Sequence, residues 1–167
     1  MVYTGITDFH KVIPSQAVTC MQISPADESK IIIARTTYLT ELAQDGQEHI
    51  ISGKWAQGYQ EGRPTVAKYR LMSAFVPIGS EAILIVDKLN KVIRYFNLTT
   101  NQVHRYAGSP TTTGHRDSTR LNALLTSPHG IIPSVLEPNT YYVSDSSTHK
   151  IRRLNETHLT TAYDGFR

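Results

Sequence analysis

The sequence predicts an all-β chain made of repeated four-stranded antiparallel units, and three observations carry that expectation. Strand-favouring residues dominate: 19 Thr, 15 Ile, 10 Val and 9 Tyr stand against 12 Leu, 11 Ala and 7 Glu. β-Branched and aromatic side chains fit a pleated surface better than a helix. Short apolar runs ending in Asp are followed by turn residues, and the same segments recur at a nearly constant spacing, the mark of a repeat architecture.

The elements follow in chain order. Residues 1–24 match no part of the repeat and are assigned to the outer strand of a preceding unit. A divergent unit is expected over 25–76, opening on Pro25 and the run IIIA at 31–34. Gly53, the stretch GYQEG at 58–62, Ala67 and Tyr69 follow, with Arg35 and Met72 where the other units carry Asp and Pro. The unit at 77–132 is the clearest. AILIVD at 82–87, VIRYFN at 92–97 and the run at 103–107 read as strands, residues 108–122 as a Gly-containing loop, and 130–133 as a short fourth segment. Residues 121–125 (LNALL) have helical character, but Ser127 and Pro128 close them after one turn, so they read as a loop that tucks Ala123 and Leu125 against the sheet. A partial unit at 133–167 carries YYVSD at 141–145 and HKIRRLN at 149–155.

Asp87 and Asp145 lie 58 residues apart, and Ile93, Arg94 and Asn97 recur at that offset as Ile151, Arg152 and Asn155. Glu61, Ala67 and Tyr69 answer Asp117, Ala123 and Leu125 at an offset of 56. Four short strands in each 50-odd residues is the size of a β-propeller blade, which buries both faces only by stacking on its neighbours. One propeller domain is expected.

Charge and cysteine usage narrow the function classes. Seventeen Lys and Arg against fourteen Asp and Glu leave +3, spread without the basic blocks of nucleic-acid tails. No apolar run approaches the roughly 20 residues of a membrane-spanning helix, so no membrane insertion is expected of this chain. The single Cys20 cannot form an internal disulfide and reads as a small buried hydrophobe. The first 25 residues lack the apolar core of a secretory signal.

From Ala107 onward the chain resembles the NHL repeat. The resemblance lies in the strand-end Ala107-Gly108, the loop with Gly114 and Asp117, Ala123 and Leu125 ahead of Pro128-His129-Gly130-Ile131, then Tyr142-Val143-Ser144-Asp145 and the turn and strand at Thr148-His149-Lys150-Ile151-Arg152. It is specific over residues 82–155 and weaker before them. The resemblance implies a propeller whose closed members have about six blades, of which this chain holds about three. The chain is therefore expected to be an incomplete propeller, completed by the rest of a longer chain or by self-association.

Asp87 and Asp145, where a strand enters a tight turn, are expected to fix the turn by accepting backbone N–H groups. Arg94 and Arg152 recur at one phase of a strand and read as a solvated face. Trp55, Tyr59, Arg116 and Arg120 lie in the long loops at 53–69 and 108–122 and are the side chains expected to anchor a protein partner. Asn97 and Asn155 head acceptor sequons (Asn-Leu-Thr, Asn-Glu-Thr) at equivalent hairpin tips, which makes them glycosylation candidates. With the loops they point to an extracellular or membrane-tethered parent protein.

His129 is the one metal-ligand candidate. Its setting is similar to the zinc-binding stretch of the peptidylamidoglycolate lyases, which hold zinc with one His from each of three blades; zinc or calcium is expected only on that alternative. The position 56 residues earlier is Ser73, whereas catalytic zinc needs about three converging protein ligands. No nucleophile elbow, phosphate loop or dinucleotide fingerprint occurs. The leading expectation is a non-catalytic propeller scaffold without a cofactor that binds a protein partner through its loops. A lyase using His129 and an RNA-binding NHL propeller are the alternatives, the latter drawing on Arg94, Arg105, Arg116, Arg120, Arg152 and Arg153.

Overall fold

The computed structural model describes residues 16–165, and every regular element among them longer than a single 3-10 turn is a strand. Strands β1 (Val18–Ile23), β2 (Ile31–Arg35), β3 (Tyr38–Leu42) and β4 (Glu48–Gly53) form a first antiparallel sheet in sequence order. Strands β5 (Met72–Ile78), β6 (Ala82–Asp87), β7 (Val92–Asn97) and β8 (Gln102–Gly108) form a second. The third contains β10 (Pro128–Pro133), β11 (Tyr141–Asp145), β12 (Lys150–Leu154) and β13 (His158–Tyr163), with the two-residue β9 (Ser118–Thr119) added beyond β13. β5 packs beside both β1 and β10, so the three first strands are neighbours and the sheets stack as propeller blades in an open array.

The phase of the repeat differs from the sequence expectation by one strand. Residues 130–133 are part of the first strand of the third sheet, where Ile131, Ile132 and Pro133 pair with Val143, Tyr142 and Tyr141. Val18–Ile23 likewise pairs along β2 of its own sheet and is not the outer strand of a preceding one. The hairpins that join first to second strands decide this: their short loops close more cheaply than a return across the long loops. Residues 1–15 lie outside the described residues.

The middle sheet is covered on both faces, which is why β6 reads as an apolar run from Ala82 to Val86, closed by Asp87, with every residue buried. Ile83 and Ile85 point to the first sheet and pack with Ile32, Ala34, Leu39, Phe75 and Phe96. Leu84 and Val86 point to the third and pack with Ile131, Val143, Leu154 and Leu159. Each such side chain contributes about 1.5–3 kcal/mol of burial. Ala67 and Tyr69 complete the first interface and Ala123 and Leu125 the second, all fully buried. The 121–125 segment is thus a loop pressed against the sheet, with no helix.

Gly53 and Gly108 end the fourth strands with φ of +94° and +86°. A Cβ on either would stand 2.4 Å from the carbonyl oxygen of Thr37 or Lys91, so only glycine lets the outer strand close on its neighbour.

Candidate functional site

The long loops after the first two sheets do not hang free. Each crosses onto the next sheet and is held there by an arginine. Arg94 on β7 is fully buried and donates to the carbonyl oxygens of Gln60 (2.8 Å) and Lys68 (3.3 Å) in the 53–71 loop. Arg152 on β12, also fully buried, donates to those of Leu124 (2.9 Å) and Arg116 (3.3 Å) in the 108–127 loop. Gln60 and Lys68 form an antiparallel bridge across the base of their loop, and Arg116 and Leu124 form the equivalent bridge. The expectation that these arginines make a solvated face is therefore corrected. Polar alternation places them on the sheet face away from the next blade's core, and the preceding loop then covers that position.

The paired carboxylates stand behind the arginines. Asp87 is buried at the end of β6, accepts the Arg70 N–H (3.0 Å) and the Asn90 amide (2.7 Å), and lies 3.3 Å from Arg94 Nη1. Burial raises its pKa above the ordinary value, against the lowering by Asn90, the Arg70 N–H and Arg94. Asp145 is equally buried and accepts the N–H groups of Thr126 (3.0 Å) and Ser127 (2.6 Å), with Arg152 Nη1 at 3.9 Å. Both therefore join the incoming chain to the strand end. A 3-10 turn follows each, closed by Lys91 or His149 in the left-handed region. Arg152 has a second carboxylate in Asp117 at 2.8 Å. Although burial raises the Asp117 pKa, the Thr161 N–H and hydroxyl and Arg152 outweigh it and hold the carboxyl below its usual range.

Loop edges are tied down as well. Gly62 and Val103 exchange backbone hydrogen bonds of 2.9 and 2.8 Å, and β9 pairs with β13 at Ser118–Leu159, 56 residues further on in each strand. The loops are thus extra edge strands of the following sheet.

The four candidate anchors divide two and two. Trp55 is 44% exposed with one ring face tilted against Tyr38 at 5.1 Å, and Arg116 is exposed with its guanidinium on the Asn122 carbonyl oxygen of its own loop (2.5 and 3.1 Å). Tyr59 and Arg120 are committed to the scaffold. The Tyr59 ring stacks 4.6 Å from the Arg94 guanidinium and its hydroxyl bonds Glu61, and burial with that bond pushes its pKa up to about 12. Arg120 lies 4.1 Å over the Tyr106 ring.

His129 is exposed on β10, and its carbonyl oxygen accepts the Ser73 hydroxyl at 2.6 Å. Among the described residues no three His, Cys, Asp or Glu side chains converge on a point where a metal could sit. Asn97 and Asn155 occupy equivalent turns. The Asn97 side-chain Oδ1 accepts the Thr100 N–H (2.6 Å), and Asn155 Oδ1 accepts the N–H groups of Thr157 (2.9 Å) and His158 (2.8 Å). Sequence reading also missed a cleft of about 840 Å³ between the first two sheets, lined by Glu41, Ile50, Arg63, Phe96, Thr100 and Gln102 among others. It is built from five separate segments, and no local motif marks it.

No family model and no curated protein matches this chain. Its fold does recur in solved structures. A Bacteroides thetaiotaomicron protein of unknown function aligns with a TM-score of 0.68 at 16% identity, over 80% of this chain and 33% of its own. An auxiliary nutrient binding protein of Bacteroides ovatus aligns at 0.65 and 15%, over 80% of this chain and 35% of its own. A second auxiliary nutrient binding protein, from B. thetaiotaomicron, aligns at 0.65 and 17%, over 86% and 37%. The chain thus spans about a third of the length of the solved structures it matches, and at these identities the likeness is one of fold.

Proposed function

We propose that this chain is a non-catalytic NHL-type propeller scaffold that binds a protein partner through the 53–69 and 108–122 loops. The observation that carries this reading is the loop latch. Buried arginines and edge pairing hold both loops rigidly on the sheets, so a partner binds without the cost of ordering them. Trp55 and Arg116, an aromatic and an arginine of the types enriched at interface hot spots, remain presented outward. The description of two fold neighbours as auxiliary nutrient binding proteins supports a binding role. The NHL assignment rests on the recurring turn and strand residues around Asp87 and Asp145.

RNA binding is the weaker reading, because Arg94 and Arg152 are buried, Arg153 is paired with Glu137, and Arg105 donates to the Gly108 carbonyl oxygen. The lyase reading has His129 alone behind it. We further propose that Asn97 and Asn155 carry glycans in an extracellular parent protein, as their matched turns suggest.

Crosslinking capture with the wild-type chain and with a Trp55→Ala/Arg116→Ala variant tests the loop reading. A protein captured by the wild type and lost with the variant, whose circular dichroism is unchanged, supports it. Equal capture by both overturns it.

A further inference from the structure

The two interfaces between sheets share one frame, but the second is filled at its rim and the first is open. In the second, the Tyr95 ring lies 4.9 Å from His104 and stacks on Tyr106 at 5.9 Å, and Arg120 closes the pile 4.1 Å over Tyr106. The first interface repeats the backbone that carries this pile. Gly53 N–H donates to the Pro64 carbonyl oxygen as Gly108 N–H donates to that of Arg120, both at 3.0 Å. Glu41 pairs with His49 as Tyr95 pairs with His104, and Ile51 and Tyr106 fall in matching bulges. Glu41, Ile51 and Pro64 therefore stand where Tyr95, Tyr106 and Arg120 do, and these smaller side chains leave the cleft of about 840 Å³. Sites for small ligands span roughly 300–1,000 Å³.

Several polar groups at the cleft wall lack partners. Ser24 lines the cleft at 1% exposure, and its Oγ has no hydrogen bond among the described residues. Ser134 holds the same place in the third sheet, where its N–H donates to the Thr140 carbonyl oxygen as that of Ser24 donates to Lys30, both at 2.8 Å. The Ser134 hydroxyl, however, accepts the N–H groups of Leu136 (3.3 Å) and Glu137 (3.1 Å). A buried hydroxyl without a bond costs stability, and a ligand that supplies one recovers it. Arg63 is exposed at the cleft, where the second interface has Thr119, and its guanidinium makes no ion pair or hydrogen bond among the described residues. The side-chain amides of Asn101 and Gln102 are equally unbonded, and each offers a donor and an acceptor. Glu41 is already held by Lys30 at 3.2 Å and His49 at 3.5 Å, so the charge left to a ligand is positive.

We infer that this cleft binds a short hydrophobic peptide by its C-terminal carboxylate. Arg63 takes the carboxylate, for which a guanidinium is the matched donor. Asn101 and Gln102 pair with its peptide groups, and Ile50, Ile51 and Leu98 receive its side chains. Trp55 and Arg116 do not line the cleft, so the inference stands apart from the loop reading.

An NMR titration of the 15N-labelled chain with the four N-acetyl dipeptides of Leu and Phe tests the inference. At least one is expected to give saturable shifts at the amides of residues 63, 65 and 100–102. The C-terminal amide of the same dipeptide should bind about tenfold more weakly, as loss of a charge-assisted bond implies. Arg63→Gln, at an exposed position, should weaken the acid by about the same factor and leave the amide form unchanged. Glu41→Tyr/Ile51→Tyr rebuilds the tyrosine pair of the second interface and should abolish binding with unchanged circular dichroism. If that variant loses its strand signal, Gln102→Trp, also at an exposed position, blocks the cleft in its place. No saturable shift with any of the four dipeptides overturns the inference. So does equal affinity for acid and amide, an Arg63→Gln chain that binds like the wild type, or octanoate binding as tightly as the best dipeptide.

Discussion

The first sheet and the second solve the same joint with opposite charge. At the end of β6, Asp87 accepts an N–H from the chain that leads into its sheet, and Arg94 on the next strand stands behind it, both at 0% exposure. The first sheet carries Arg35 at the position of Asp87 and Thr40 at that of Arg94. Arg35 donates to the Gln16 carbonyl oxygen at 2.9 Å, and Glu48 on β4 receives both Arg35 (2.9 Å) and the Thr40 hydroxyl (2.5 Å). The joint between strand end and incoming chain needs a polar partner, and its sign is free: a carboxylate takes up an orphan N–H, a guanidinium an orphan carbonyl. What differs is burial, since the Arg35–Glu48 pair keeps 14% and 21% of its side-chain surface in water.

Burial sets the largest predicted effect. Removing one partner of a buried pair leaves a charge that nothing offsets and costs about 3–5 kcal/mol, whereas a partly wet pair contributes about 1 kcal/mol or less. Arg94→Leu strands Asp87 and two loop carbonyls, and Arg152→Leu does the same in the third sheet. Each is expected to lose 3–5 kcal/mol (about that range) in urea unfolding, while Arg35→Leu loses about 1 kcal/mol. Equal losses at positions 35 and 94 would break the comparison.

A charge exchange sharpens it. Arg35→Asp alone sets a second carboxylate beside Glu48 and is expected to cost about 1–3 kcal/mol through repulsion and the lost bond to Gln16. Adding Thr40→Arg supplies the cation that the second sheet has at this place, and more than half of the loss should return. A double variant no more stable than Arg35→Asp in the same urea titration would show that the first sheet cannot adopt the second sheet's arrangement.

Much of this was legible in the residues, and what was not has a physical cause. The 58-residue offset placed β6 and β7 opposite β11 and β12, and the loop residues Ala123 and Leu125 were placed against the sheet, with Ala67 and Tyr69 as their counterparts at an offset of 56. A repeat has no origin, however, so the sequence alone did not say which strand comes first; the pairing of β5 with β6 across the three-residue turn 79–81, and of β10 with β11 across 134–140, does. Arg94 and Arg152 were misread because a charge at an alternating strand position ordinarily meets water. The groups that cover Arg94 lie 26 and 34 residues earlier, in a loop leaving another sheet. Tyr59 and Arg120 passed for free anchors for a related reason, since stacking on Arg94 and on Tyr106 is not encoded by local spacing.

The smallest predicted effect separates the second interface from the first. Tyr69 is fully buried with its hydroxyl 2.9 Å from Ser52 Oγ, and burial pushes its pKa from 10 up to about 12; Leu125 stands at the equivalent place and cannot ionise. Because the folded value is the higher one, the contribution of Tyr69 is fully present below pH 10. It is lost as the pH rises toward 12, where the unfolded chain gives up its proton first. Tyr69→Phe leaves the Ser52 hydroxyl buried without its partner and should cost about 1 kcal/mol at pH 7. The same variant should lose less stability than the wild type between pH 10 and pH 12. Leu125→Met, altering the matching position in the other interface, should leave the alkaline slope unchanged. If Tyr69→Phe and wild type instead fall in parallel across that range, the alkaline sensitivity does not lie at Tyr69.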